Sequence, residues 1–190
     1  MLSWQPNRMQ VSNNMLQAVS FLISTIGELY ITCYLLRFLM QWVRADFHNP
    51  LSQFIVAVTG PLIRPVRRVI PAWRGLDLAT VLVALLLELV LTLVLITLSG
   101  IPAPATGSLL LIVLQRLALN AIRLFFFAVL VRAILSWVSS GGYNPIGAIL
   151  HALTEPLIRP VRRLIPPIGG LDLAPLFVLL GLQALLMALG

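Results

Sequence analysis

Four polar residues interrupt runs that are otherwise greasy. Glu28 lies within ISTIGELYITC, Glu88 within LVALLLELVLTL, Arg123 within LNAIRLFFFAV and Gln183 within LGLQALLM. Ionisable groups in such runs face other protein or a water cavity, and they mark ion pairs, proton sites or cation sites. A second chemistry is carried by PLIRPVRR, which stands at 61–68 and again, letter for letter, at 156–163. Its arginines, Arg64, Arg67 and Arg68, then Arg159, Arg162 and Arg163, suit an anionic surface. A basic residue close to anionic lipid gains about 1 kcal/mol.

Other chemistries find no residues to carry them. His48 and His151 are not at matching positions, and no His, Cys and carboxylate group has metal-ligand spacing. No nucleophile stands with a base, and Gly141-Gly142 reads as a turn rather than a phosphate loop. Cys33 is the single cysteine, so an intrachain disulfide is excluded. The expectation is a protein that is not an enzyme, with no catalytic residue, no metal and no cofactor.

The elements that must position these groups follow from composition. Of the 190 residues 59% are hydrophobic and 10% charged, and the mean hydropathy is +1.00. Too few polar residues remain to clothe a surface in water, so bilayer is the expected solvent. The net charge of +7 comes with 13 basic residues, all arginine, which in a membrane protein points to positive-inside bias rather than to nucleic acid. Residues 1–14 form a polar N-terminal segment, read as no cleavable signal. Four apolar runs, about 15–40, 79–99, 109–135 and 173–189, are expected to cross, the last being the shortest.

The second half repeats the first at an offset of 95 residues. Asn49-Pro50 recurs as Asn144-Pro145, Trp42 as Trp137, Thr59 as Thr154 and Asp77 as Asp172. The expected architecture is all-α, a multi-pass membrane protein of two parallel helix–loop–helix repeats, 15–99 and 109–190, joined by an external connection at 100–108. Such repeats are related by a two-fold along the membrane normal. Loop 44–77 carries five arginines and loop 139–172 three, while 100–108 is uncharged, so both arginine loops are expected in the cytosol and both termini outside.

Within each loop Asn49 or Asn144 caps a short interfacial helix, near 50–58 and 145–153, which Pro61 and Pro156 should end. The following prolines should hold the arginines on a stiff non-helical ribbon. Asp77 and Asp172 are the expected N-caps of the next spans. At 1.5 Å per residue Glu28 is about 13 Å above Arg37, and Glu88 about 16 Å above Asp77. Arg123 and Gln183 are their repeat partners, so all four should share one plane near mid-membrane. Glu28 is expected to pair with Arg123 across the two-fold as a buried ion pair that docks the two halves. The faces bearing Gln17, Ser20 and Ser24 on one side and Arg116 and Asn120 on the other are compatible. Two carboxylates would then face one guanidinium, leaving Glu88 either neutral, hydrogen-bonded to Gln183 or backbone, or balanced by a proton or monovalent cation.

Arg-x-x-x-x-Trp, Asn-Pro, Thr-x-Pro-Leu-x-x-Pro-x-Arg-Arg-x-Ile-Pro and Gly-Leu-Asp-Leu in that order resemble the YGGT repeat, and the chain resembles the YggT (YlmG-like) family. Arg132–Pro175 is the cleaner copy; the first departs at Gly60, where the pattern has Glu, and at Thr80, where the second copy has Pro175. The resemblance implies a multi-pass protein of the bacterial inner membrane. It also implies links to osmotic or envelope stress, to cell-division gene neighbourhoods and, in plastids, to cytochrome assembly and nucleoid distribution. It supplies no catalytic residue. The functional expectation is a non-catalytic scaffold or assembly factor whose two basic loops engage anionic phospholipid headgroups, a membrane-protein partner or further copies of the chain. The alternative is a small potassium or proton transporter or channel.

Overall fold

The computed structural model describes residues 8–70, 77–138, 144–165 and 172–190, and these contain six α-helices and no strand. They are α1 (Arg8–Trp42), α2 (Pro50–Arg67), α3 (Leu78–Leu98), α4 (Thr106–Val138), α5 (Pro145–Leu164) and α6 (Ala174–Leu189). Stretches within α1, α3 and α4, Asn13–Trp42, Leu78–Leu98 and Thr106–Ser136, are long and apolar enough to cross a membrane. α6 is apolar but has only 16 residues. The polar residues from Arg8 onward are already helical. The expected Gly141-Gly142 turn and the Trp137 side chain lie outside the described residues.

Each half packs in the same way. Tyr34, Ile63, Ala79 and Val83 form one buried cluster between α1, α2 and α3. Val129, Ile158, Ala174 and Val178, each 95 residues on, form another between α4, α5 and α6. Close approach of α1 to α3 relies on Gly27, where a Cβ would sit 2.7 Å from a Leu91 methyl. Between the halves, Leu39 meets Ala128 and Leu153, while Met40 and Ile55 meet Ile149.

The packing between halves departs from the expected two-fold. α4 seats against both α1 and α3, but among the described residues α1 does not touch α6. The cause is chemical. Arg116 of α4 reaches Glu88 of α3, whereas the matching positions hold Phe21 and Gln183, which carry no charges to attract each other.

The loop helices are also longer than their prolines suggest. α2 runs through Pro61 and Pro65, and α5 through Pro156 and Pro160. Proline removes one backbone hydrogen bond, yet its φ is helical. All four prolines lie on the exposed side, and the opposite face buries Ile55, Thr59 and Ile63 in α2 and Ile149, Leu153, Thr154 and Ile158 in α5. Burial of that face outweighs the lost bonds. The Arg37 guanidinium also bonds Thr59 Oγ1 at 2.7 Å and Val56 O at 3.4 Å, in the turn before Pro61. The arginines therefore ride on amphipathic helices, not on a ribbon.

Asparagine capping is as expected: Asn49 Oδ1 accepts from Leu51 N at 3.0 Å, and Asn144 Oδ1 from Ile146 N and Gly147 N. Asn49 is also buried and donates to Pro145 O at 2.6 Å, tying the start of α2 to the start of α5. Asp77 caps α3 by accepting from Thr80 N and Thr80 Oγ1. Asp172 sits one residue too early to be the α6 cap, a place held by Leu173, although its Oδ1 still accepts from Ala174 N at 3.0 Å. Pro175 in the first turn, where Thr80 stands in the other half, offers no amide or hydroxyl to a cap.

Candidate functional site: a charged seam and twin arginine helices

Two sites emerge from this frame. The first is a seam between α1, α3 and α4. Glu88 stands midway along α3 and is 1% exposed. Its Oε1 accepts from Arg116 Nε at 2.6 Å. The same guanidinium donates through Nη2 to Glu28 Oε1 at 3.2 Å, and Arg123 Nη1 lies 3.3 Å from Glu28 Oε2. Asn120, buried, donates to Glu28 O at 3.3 Å and accepts from Thr32 Oγ1 at 2.8 Å. Two carboxylates and two guanidiniums thus form one chain of contacts.

Three of the four residues singled out in the sequence, Glu28, Glu88 and Arg123, meet in this seam. Gln183 does not: α6 does not pack against α3 among the described residues. Glu88 contacts Arg116 rather than Gln183, and with Arg116 in the seam two guanidiniums, not one, face the two carboxylates. Arg116 is the residue that the sequence reasoning placed on the right face but omitted from the charge count. Its position one turn before Asn120 and two before Arg123 was the available signal, since such residues share a helix face.

The second site is the pair of loop helices. Arg67 is ion-paired to the buried Asp77. Arg162 lies 2.7 Å from Asp172 and 3.3 Å from Glu155, and Glu155 also holds Arg132 at 2.8 Å. Burial alone would raise the Asp77 carboxyl, but the Arg67 guanidinium and the Thr80 hydroxyl and amide hold it below its ordinary value. Glu155 is likewise lowered, because Arg132 and then Arg162 and His151 outweigh its desolvation. Of the six carboxylates in the chain, five engage arginine and Asp46 engages His48.

Arg64, Arg68, Arg159 and Arg163 are left exposed and, among the described residues, have no carboxylate partner. Each pair is one helical turn apart, so each helix shows two guanidiniums on one face. Beside Arg159 a shallow cleft of about 400 Å³ is lined by Trp42, Val43, Ala152, Glu155 and Pro156. The six predicted loop arginines therefore divide into two that hold the fold and four that remain available. Among the described residues no three His, Cys, Asp or Glu side chains are grouped as metal ligands would be.

The sequence matches the family described as CCB3/YggT over residues 16–98 and 111–190. The chain belongs to the CCB3/YggT family. Its relatives include the uncharacterized protein in the proC 3′ region of Vibrio alginolyticus, 47% identical over 88% of this chain and 91% of that one. They also include the uncharacterized protein YggT of Escherichia coli K12, 44% identical over 87% of this chain and 85% of that one. A third, an uncharacterized protein of Pseudomonas aeruginosa, is 43% identical over 87% and 85%. No solved structure matches the chain. Both matched segments of this CCB3/YggT protein contain a capped loop helix with its arginines, and the seam joins one segment to the other.

Proposed function

We propose that this CCB3/YggT protein is a non-catalytic scaffold of the bacterial inner membrane, crossing it four times, that gathers anionic phospholipid headgroups on its cytosolic side. α2 and α5 lie in the interface with their apolar faces against the bundle. Arg64, Arg68, Arg159 and Arg163 receive phosphate. The observation that carries this reading is that every carboxylate is engaged elsewhere while, among the described residues, these four exposed arginines have none. Guanidinium binds phosphate in a fork of two hydrogen bonds, and two such forks one turn apart can share a headgroup. A lipid-charged face of this kind is where a membrane-protein partner would be assembled.

The test is lipid retention. The full chain in mixed nanodiscs should enrich phosphatidylglycerol or cardiolipin over phosphatidylethanolamine. Replacing all four arginines by Gln should remove most of that preference, as about 1 kcal/mol each implies, and salt should weaken it. Equal retention by both proteins would sink the proposal. The reading as an ion carrier rests on a different observation, an unpartnered oxygen on Glu88. It predicts that Glu88→Gln changes proton or potassium flux in proteoliposomes at equal protein abundance.

A further inference from the structure

Among the described residues two buried side-chain polar atoms have no hydrogen-bond partner, Glu88 Oε2 and Thr92 Oγ1. Both side chains are on α3, one turn apart, with exposures of 1% and 3%. Each orphaned group is expensive in an apolar surrounding. Buried polar atoms are nearly always satisfied, so two orphans on one face call for a shared guest. The guest must be small, and it must suit one carboxylate oxygen and one hydroxyl that are not bonded to each other.

We propose that Glu88 and Thr92 form a proton-binding site, in which one water molecule bridges Oε2 to Oγ1 and delivers a proton to Oε2. A bridging water needs at least two polar partners, and the two orphans provide them. A monovalent metal cation fits less well. The second oxygen of Glu88 is already occupied by Arg116 Nε, and the guanidinium would repel a neighbouring cation. A proton needs one oxygen. As the O–H bond forms at Oε2 an O–H bond of the bridging water breaks, and that water takes up a proton from solvent in its place, so the net change is one proton bound and one negative charge removed.

The surroundings can accommodate that change. Arg116 holds Glu28 as well as Glu88, so on protonation the guanidinium keeps a carboxylate partner. The charged and titratable groups facing this part of α3 are Arg116 and, through Glu28, Arg123 from α4, with Glu28, Tyr30 and Tyr34 from α1. α2 contributes Arg67 at the far end of α3, beside Asp77. Glu28 is one-third exposed and Arg123 one-half exposed, so the seam reaches the molecular surface one guanidinium away from Glu88. The site is independent of the arginine helices, and its failure would leave the lipid-gathering reading untouched.

The experiment is pH-difference infrared spectroscopy on the full chain in lipid nanodiscs, following the protonated-carboxyl band with and without carbon-13 glutamate. The expected result is a glutamate band that grows on acidification, is absent in Glu88→Gln, and has its midpoint moved by about one pH unit in Thr92→Val. Thr92→Val preserves side-chain volume, so with the label it carries the test where Glu88→Gln does not assemble. The proposal is overturned if Glu88 stays ionised from about pH 4 to about pH 9, seen as no labelled band that these variants alter. A band removed by Glu88→Gln but identical in Thr92→Val overturns the shared site.

Discussion

The two halves of the chain share a fold and differ at a few positions, and those positions decide what each half does. The clusters around Tyr34 and Val129 use matching residues, and Arg37 and Arg132 reach Thr59 and Thr154 at 2.7 and 2.8 Å. The first half has Gly60 where the second has Glu155, so Arg132 gains a carboxylate that Arg37 lacks. It has Thr80 where the second has Pro175, so Asp77 is a tight cap and Asp172 is not. It has Phe21 and Glu88 where the second has Arg116 and Gln183, so α3 meets α4 across the halves while, among the described residues, the matching pair α6 and α1 does not meet. The matching clusters give the halves similar frames; the charged differences give them different neighbours.

The largest effect is expected from erasing the difference at the seam. Arg116→Phe copies Phe21 and strands Glu88, a buried carboxylate, without its partner. Removing one member of a buried pair typically costs about 3–5 kcal/mol. The variant should lose folded protein in a thermal-aggregation series in micelles, and Arg116→Phe combined with Glu88→Gln, which copies the other half completely, should recover much of it. A double variant as poor as the single one would mean that Arg116 acts by packing and not through Glu88.

Next in size is the glutamate present in one copy. Glu155→Gly gives the second half the first half's sequence and leaves Arg132, 14% exposed, with Thr154 alone. Loss of the charge-assisted bonds and a glycine in a helix interior should together cost about 2–3 kcal/mol. The charge-dependent part of that loss should fade in acid, leaving the glycine cost. Because the folded Glu155 carboxyl is held low, its contribution is full above the unfolded value near pH 4 and declines as pH falls through the folded value. The gap between wild type and Glu155→Gly should therefore be full above about pH 4 and shrink as pH falls below it, down to the glycine cost of about 0.5–1 kcal/mol.

How much of this was legible follows from the kind of signal each feature leaves. Asn49-Pro50 and Asn144-Pro145 announced both loop helices, because a cap and a first-turn proline are local features. The helix ends were missed because proline reports a missing bond, while the buried stripe Ile55, Thr59 and Ile63 that overrides it is a tertiary gain. Glu28, Glu88 and Arg123 were conspicuous because a charge in an apolar run has few explanations. Arg116 was less so, since its pairing depends on α4 docking between α1 and α3. Nor could a list of six loop arginines show that Arg67 and Arg162 belong to the aspartates ten residues on.

The aspartates offer a finer comparison. Asp77→Asn weakens a pair with Arg67 in which the carboxylate is 1% exposed and also caps α3; Asp172→Asn weakens one in which the carboxylate is 33% exposed and is no cap. The first should cost about 1–2 kcal/mol and the second under about 1 kcal/mol by the same thermal measurement. Equal costs would show that the cap adds nothing to the ion pair.

The smallest effect is a gain. A Cβ at Gly60 would meet nothing closer than Arg64 Nε at 3.7 Å, which is ordinary contact, so the first half has room for a side chain. Gly60→Glu installs the second half's glutamate where Arg37 already bonds Thr59, and it removes a glycine from the interior of α2. Replacing glycine in a helix is worth about 0.5–1 kcal/mol. Pairing with Arg37 should add to that only if the first half presents its arginine as the second presents Arg132. Gly60→Ala separates the two contributions. If Glu stabilises more than Ala, and the excess vanishes when Arg37 is changed to Gln, the halves are interchangeable frames. If Ala and Glu are equal, Arg37 has been recommitted to Val56 O and Thr59, in the turn before Pro61, and the first half has given up the carboxylate because its arginine is needed to hold α2 together.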